Sequence, residues 1–157
     1  MKIMFVCHGN ICRSPMAEAI FNNLIPGCSR PWEFSCESSA TSTEEIIGGV
    51  GNPIYPPARE ELRRHGITPP ERRACLLRAE DYDNFDLFVG MDLANVRNMH
   101  RIFGGDPDKK IRLLGKYAGF SEVDDPWYSR DFSKAYSDIH KGCAALLNAL
   151  VHGFDVI

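Results

Sequence analysis

The sequence lacks the features of several broad protein classes. Its 157 residues contain no apolar run near the roughly 20 residues that a membrane span needs. Lys2 leads directly into a strand-like segment, with no signal-peptide cleavage pattern. Neither sign of charge dominates, because the formal net charge is −3 and the isoelectric point is about 5.9. We therefore expect a cytoplasmic protein that has neither a membrane nor a nucleic acid as partner.

Patterns of metal ligands are also missing. The chain has six cysteines and five histidines, but it contains no C-x-x-C pair, no H-E-x-x-H sequence and no i, i+4 pair of histidines. In a cytoplasmic chain, cysteines are expected as buried thiols or catalytic groups before disulfides. We predict no metal and no other cofactor, and the close pair Cys7 and Cys12 needs another explanation.

The composition that is present is that of a globular protein, with 44% hydrophobic and 25% charged residues. The length predicts one domain, residues 1–157. Apolar runs predict strands at 2–7, 32–37, 85–90 and 110–114, and helical periodicity predicts helices at 14–25, 58–65, 92–102 and 131–151. Residues 38–57 and 117–132 are predicted as irregular. Strands alternating with helices indicate a three-layer α/β domain, in which helices cover both faces of a parallel sheet.

The turn after the first predicted strand carries the clearest functional signal. It reads Val6-Cys7-His8-Gly9-Asn10-Ile11-Cys12-Arg13-Ser14-Pro15. Cys7 and Arg13 have the C-x5-R spacing, which is weak evidence by itself. The context strengthens it, because the Gly9-Asn10 pair tolerates unusual backbone angles. The Ser14-Pro15 pair is typical of a helix N-cap followed by the first helical position.

This context predicts a phosphate-binding loop. Successive backbone N–H groups that lead into a helix N-terminus can surround a tetrahedral oxyanion. Arg13 adds a planar fork of donors that can hold two phosphate oxygens at once. The same positive field favours the thiolate form of Cys7, which predicts a nucleophile aimed at the phosphorus atom.

Three segments together form a wider pattern. Residues 5–19 read F-V-C-H-G-N-I-C-R-S-P-M-A-E-A, Met91-Asp92-x-x-Asn95 follows the third predicted strand, and Asp125-Pro126-Trp127-Tyr128 lies late in the chain. In order and spacing these segments resemble the low-molecular-weight protein tyrosine phosphatase family along essentially the whole chain. The resemblance implies a four-stranded parallel sheet and metal-free hydrolysis of phosphotyrosine through a phosphocysteine. It also implies a phosphotyrosine-containing protein as partner and inorganic phosphate as product.

The resemblance assigns roles to individual residues. Cys7 is the expected nucleophile, Arg13 binds phosphate, and Asp125 is the general acid that later becomes the base. Asp124 is its neighbouring competitor, and Ser14 could donate a hydrogen bond to the Cys7 sulfur. The substrate-binding residues implied are His8, Gly9, Asn10, Ile11, Cys12 and Ser14 of the loop, with Trp127 and Tyr128 as apolar walls.

Three further assignments leave alternatives open. Asn10 either fixes the loop by hydrogen bonds that involve Ser38, or is a simple turn residue. Cys12 either traps the oxidised Cys7 as a reversible disulfide, or is a small apolar filler. Asp92 either supports the site from outside the loop, or is only the N-cap of a helix.

Two segments depart from the family pattern. The family usually carries a histidine a few residues after a Gly-Ile pair, whereas residues 66–73 read G-I-T-P-P-E-R-R. The support of the loop is therefore expected to differ in detail. The family often has an aromatic residue near positions 42–45, which here read S-T-E-E and precede an apparent insertion at 46–52. Tyr55 is a possible substitute for that aromatic wall.

Three other functions compete with the phosphotyrosine phosphatase. A thioredoxin-coupled arsenate reductase shares the fold and loop but needs two further neighbouring cysteines, and only Cys75 lies in the expected segment, with Cys143 far along the chain. A protein-arginine phosphatase tends to have Thr at the position of Ile11, and an apolar Ile suits a phenyl ring better. A non-catalytic phosphopeptide-binding module would leave the nucleophile and the general acid without a purpose.

Overall fold

The computed structural model describes residues 1–153, and the last four residues of the predicted domain lie outside the described residues. Within the described residues, the chain forms six strands and six α-helices. The strands are β1 (Lys2–Cys7), β2 (Ser35–Ala40), β3 (Ile46–Ile47), β4 (Val50–Gly51), β5 (Leu87–Gly90) and β6 (Ile111–Leu113). The helices are α1 (Arg13–Leu24), α2 (Pro56–Arg64), α3 (Leu93–Phe103), α4 (Leu114–Tyr117), α5 (Pro126–Ser129) and α6 (Phe132–His152).

The main sheet has four parallel strands in the order β2-β1-β5-β6. The central strand β1 pairs along its whole length with β2, from Lys2 opposite Ser35 to Cys7 opposite Ala40. This is the predicted fold class. Since all four strands run the same way, their carboxyl ends meet at one edge, which is where open α/β sheets bind ligands.

Both faces of the sheet are covered, which explains the continuous apolar run of β1. Ile3 and Phe5 lie in a core that includes residues of α1 and α6, two helices that pack against each other. Met4 and Val6 lie in a second core on the other face, together with Met99 of α3. The alternation of side chains along β1 therefore divides the apolar residues between two layers of helices.

The second strand lies later in the sequence than predicted. Trp32, taken as a half-buried strand residue, is 78% exposed and belongs to a 3-10 turn that begins at Pro31. The strand continues instead through Ser38, Ser39 and Ala40, all of which are buried against the end of β1. The prediction of 32–37 was wrong at both ends because the exposed Trp32 completed an alternating pattern, while the buried residues at the end of the strand are small.

The segment predicted as irregular, 38–57, also contains a β-hairpin. Strands β3 and β4 pair antiparallel around Gly48 and Gly49, whose φ values of 60° and 79° suit the tight turn of a hairpin. A Cβ on Gly51 would lie 1.9 Å from the carbonyl oxygen of Ala74, so only glycine allows this close approach. The apparent insertion at 46–52 is therefore a hairpin packed on the segment that follows α2.

Helix starts differ from the sequence prediction by a few residues. Helix α1 begins at Arg13, so Ser14 is not its N-cap and lies inside the first turn. Asp131 caps α6 by accepting a hydrogen bond from the Lys134 N–H. Helix α4 ends at Tyr117, where the second segment predicted as irregular begins, and that segment contains the single turn α5. Among residues 1–153, no helix combines the length and the apolar character that a membrane crossing requires.

Candidate active site

The loop between β1 and α1 encloses the sulfur of Cys7. Its Sγ accepts hydrogen bonds from the backbone N–H groups of Asn10, at 3.3 Å, and Ser14, at 3.4 Å. The Ser14 Oγ lies 3.0 Å from the same sulfur. Two backbone N–H dipoles therefore point their hydrogens at this one sulfur atom. The Ser14 hydroxyl therefore contacts the Cys7 sulfur inside the loop and does not cap α1.

Asn10 holds the middle of the loop. It has a φ of 58°, in the left-handed region that asparagine tolerates better than most residues. Its Nδ2 donates to Ser14 Oγ at 2.8 Å and to Ser38 Oγ at 3.0 Å. The structure thus brings Asn10 and Ser38 into direct contact, and Asn10 is more than a simple turn residue.

Arg72 is a residue that sequence reasoning missed. Its Nη2 donates to Asn10 Oδ1 at 2.5 Å, and its Nη1 donates to Ser38 Oγ at 2.6 Å and to Glu18 Oε1 at 2.5 Å. The lack of a histidine in residues 66–73 was a signal that another donor was needed. It did not distinguish Arg72 from Arg73, whose Nη1 donates to the Gly51 carbonyl instead.

Arg13 presents its guanidinium at the pocket from a buried position. The residue is 2% exposed, and its Nη1 donates to Asp92 Oδ2 at 2.8 Å and to the Val123 carbonyl at 2.9 Å. Its Nη2 lies 3.4 Å from Asp125 Oδ2. Burial alone would lower the pKa of Arg13, but the neighbouring Cys7, Asp125 and Asp92 raise it. The guanidinium therefore remains a cation throughout the physiological range.

Asp92 combines both of the alternatives that the sequence left open. Its Oδ1 accepts the Asn95 N–H at 2.8 Å, which caps α3, while its Oδ2 binds Arg13. Asn95 Oδ1 in turn accepts the backbone N–H groups of Met91, at 3.0 Å, and Asp92, at 3.1 Å. The end of β5 and the start of α3 thereby fix the direction of the Arg13 side chain.

The structure brings Asp125, and not Asp124, to the pocket. Asp125 caps α5 by accepting the Trp127 N–H at Oδ1, at 3.0 Å, which leaves Oδ2 facing Arg13. The Asp124 side chain is largely exposed, and its Oδ2 lies 3.6 Å from Lys134 Nζ.

The pocket is formed by the loop and by side chains from two other segments. Residues 7–13 form its base, and Asp125, Trp127 and Tyr128 line it from the later segment. Glu44 and Glu45 line it as well, which the sequence did not predict. Of the other predicted residues, Ser14 and Ser38 support the loop and Asp92 supports Arg13.

The aromatic wall is partly different from the expectation. Trp127 and Tyr128 are both exposed at the pocket. Tyr55 packs against Trp127, with ring centroids 5.0 Å apart, and the Arg130 guanidinium lies 5.5 Å from the centre of the Tyr55 ring. Tyr55 therefore supports the wall rather than replacing it.

The cysteines remain separate thiols. All six are free, and burial, together with the charges of Cys7 and Asp125, raises the pKa of Cys12 well above its usual range. Cys75 is exposed beside Arg72, whereas Cys143 is fully buried in α6 and donates to the Ala17 carbonyl. These positions give no support to the arsenate reductase alternative. Within residues 1–153, no cluster of three or more His, Cys, Asp or Glu side chains could hold a metal ion.

Comparison with known proteins identifies the family. A family model described as low molecular weight phosphotyrosine protein phosphatase matches residues 2–153. The chain belongs to this family. The resemblance seen in the sequence is thereby confirmed, and the low-molecular-weight phosphotyrosine phosphatases are enzymes of the phosphoric monoester hydrolase class.

Individual phosphatases of this family match along almost their whole length. The chain is 34% identical over 155 residues to the low molecular weight protein-tyrosine-phosphatase YfkJ of Bacillus subtilis, covering 96% of each chain. It is 36% identical over 152 residues to the human low molecular weight phosphotyrosine protein phosphatase, covering 93% of each. The crystal structure of YfkJ superimposes with a TM-score of 0.87 at 32% identity, over 99% of this chain and 97% of that one.

Proposed function

We propose that the protein hydrolyses phosphotyrosine in proteins through a phosphocysteine intermediate, without using a metal ion. The observation that carries the proposal is the position of the Cys7 sulfur. It lies at the base of the pocket, accepts two backbone N–H groups and shares the pocket with Arg13 and Asp125. A nucleophile, a phosphate-binding cation and a carboxyl group are the components that phosphoryl transfer to sulfur requires.

In the first step, the Cys7 thiolate attacks the phosphorus atom. The S–P bond forms while the bond from phosphorus to the phenolic oxygen breaks. Arg13 and the loop N–H groups hold the equatorial phosphate oxygens as their charge redistributes. The protonated carboxyl group of Asp125 gives its proton to the leaving phenolate, which departs as a neutral tyrosine hydroxyl.

In the second step, a water molecule attacks the phosphocysteine. Asp125 is now a carboxylate and takes a proton from the water as the new P–O bond forms. The S–P bond breaks, and the electron pair returns to the Cys7 sulfur, beside which the Ser14 hydroxyl lies at 3.0 Å. Inorganic phosphate leaves, and the enzyme returns to its starting state.

The lining of the pocket favours an aryl phosphate. Ile11, Trp127 and Tyr128 supply apolar surface on which a flat phenyl ring can pack. An apolar Ile11 gives no hydrogen-bond acceptor to a guanidinium group, so phosphotyrosine suits the pocket better than phosphoarginine.

Hydrolysis of an aryl phosphate at pH about 6, in the presence of a metal chelator, tests the proposal. Wild type should show a burst of phenol release, and Cys7→Ser should be inactive. Asp125→Asn should lose roughly 10²- to 10⁴-fold in kcat, as expected for loss of a general acid. Asp124→Asn is the matched control and should retain wild-type rates. If wild type is inert yet binds phosphotyrosine, the protein is a binding module and the proposal is wrong.

A further inference from the structure

One residue of the phosphate-binding loop has a left-handed backbone conformation and no access to solvent for its side chain. Asn10 adopts a φ of 58° and is 1% exposed, so its side chain must find all its partners inside the protein. The Nδ2 group has two acceptors, Ser14 and Ser38. The Oδ1 atom accepts Arg72 Nη2 at 2.5 Å and the Cys75 N–H at 3.1 Å. A charged donor thus holds the acceptor side of the asparagine.

Arg72 is itself held by a carboxylate. Its Nη1 donates to Glu18 Oε1 at 2.5 Å and to Ser38 Oγ at 2.6 Å, and Ser38 Oγ donates to the same Glu18 oxygen at 2.7 Å. The side chains of Arg72 and Glu18 are 16% and 13% exposed. Hydrogen bonds between charged groups are strong when water has so little access. Together with Asn10, these residues form a closed network from α1 and β2 to the segment after α2.

The network reaches the reacting sulfur through Asn10. The Asn10 N–H donates to Cys7 Sγ at 3.3 Å, and Asn10 Nδ2 holds Ser14 Oγ, which lies 3.0 Å from that sulfur. Two of the three polar contacts around the sulfur therefore depend on the orientation of Asn10. Arg72 does not line the pocket formed by the described residues, so it acts through Asn10 and not on the substrate.

We propose that Arg72, paired with Glu18, is the positioning residue that holds Asn10, and with it the phosphate-binding loop, in its anion-binding shape before substrate arrives. The proposal rests on the function proposed above for this site. Preorganised donors stabilise charge without rearranging during the reaction, which is why a residue outside the pocket can affect catalysis.

The binding of inorganic phosphate, measured by titration calorimetry, provides a test that needs no turnover. Arg72→Met should weaken phosphate binding and lower kcat/KM for an aryl phosphate, each by roughly 10- to 100-fold, by analogy with the loss of a residue that orients a metal ligand. Arg72→Lys should fall between Arg72→Met and wild type, because one ammonium group keeps the charge near Glu18 but cannot also reach Asn10 as a fork does. Arg73→Met is the neighbouring control and should bind phosphate within about twofold of wild type.

A double variant distinguishes a loss of phosphate binding from a loss of folding. Arg72→Met alone leaves the Glu18 carboxylate without its cation, whereas Glu18→Leu combined with Arg72→Met removes both charges and should fold stably. The double variant should still bind phosphate roughly tenfold more weakly, because Asn10 Oδ1 loses its charged donor and keeps only the N–H and the distant thiol of Cys75.

The outcomes separate the two proposals. Wild-type phosphate binding and kcat/KM in both Arg72→Met and the double variant would overturn the positioning role. If wild type hydrolyses no aryl phosphate, the proposed function fails, and the phosphate affinities of the variants still decide whether Arg72 shapes the loop.

Discussion

Replacing Asp92 by asparagine separates two tasks of one carboxylate. Oδ1 caps α3 through the Asn95 N–H, and Oδ2 binds the buried guanidinium of Arg13, each at 2.8 Å. Asparagine is as good an N-cap as aspartate, but its neutral side chain cannot neutralise a buried cation. Asp92→Asn therefore keeps the cap but removes the charge and the Oδ2 acceptor of Arg13, and Asp92→Ala removes the cap as well.

The magnitude follows from the exposure of the two partners. Removing one partner of a fully buried ion pair costs about 3–5 kcal/mol. The Asp92 side chain is 21% exposed, and Arg13 keeps the Val123 carbonyl and the more distant Asp125. We therefore expect Asp92→Asn to lower the free energy of unfolding by about 1–3 kcal/mol. Loss of the cap adds about 1 kcal/mol in Asp92→Ala.

Denaturant unfolding and aryl phosphate kinetics measure the two effects. In both variants kcat/KM should fall by about tenfold or more, because Arg13 loses the contact that sets its direction. The stabilities should differ between the variants although the activities are similar. Wild-type stability and kcat/KM in Asp92→Asn would refute the reasoning about Arg13, and equal stabilities of the two variants would refute the assignment of the cap.

Three further predictions concern other parts of the molecule. Oxidation of Cys7 by peroxide should be reversible by added thiol in wild type and largely irreversible in Cys12→Ala. The Cys12 thiol can condense with the sulfenic acid of Cys7, which forms a disulfide and releases water. The activity recovered after thiol is added measures the difference. Burial alone would raise the pKa of Asp106, but hydrogen bonds from a tyrosine hydroxyl and two backbone N–H groups lower it below its usual value of 3.8. The ionised Asp106 therefore stabilises the fold above about pH 3.8, and this stabilisation is lost as the pH falls through the lowered pKa. Asp106→Asn should lower the free energy of unfolding in urea by about 1–2 kcal/mol at pH 7 and by less below about pH 4. Gly51→Ala should cost about 1–3 kcal/mol, because the added methyl group meets backbone atoms; an unchanged melting temperature would contradict this.

The fold was largely predictable because the central strand and the long helix have strong, local patterns. Strand β1 is apolar and buried from Ile3 to Cys7 because both of its faces are covered, and α6 buries one stripe of its surface. The prediction failed where burial is not accompanied by hydrophobicity. Ser38 and Ser39 are 1% exposed, yet their small polar side chains looked like a loop.

The residues around the sulfur were predictable for a related reason. Residues 7–14 are consecutive, so the side chains around the sulfur could be named from one short stretch of sequence. Arg72 and Glu44 reach the site from separate segments, and their positions depend on tertiary contacts that no local pattern reports. The hairpin packs against the segment that carries Arg72, because Gly51 lies close to Ala74 and the Ala74 N–H donates to the Asn52 carbonyl.

Arg72 and Arg73 illustrate the limit most clearly. The two residues are chemically identical neighbours, but one donates to Asn10 and the other to the Gly51 carbonyl. In extended chain, successive side chains point to opposite sides, so a shift of one residue would exchange their roles. The isolated bridge between Pro53 and Arg73 fixes that register. This bridge, just after the hairpin, thus also determines which of the two arginines faces Asn10.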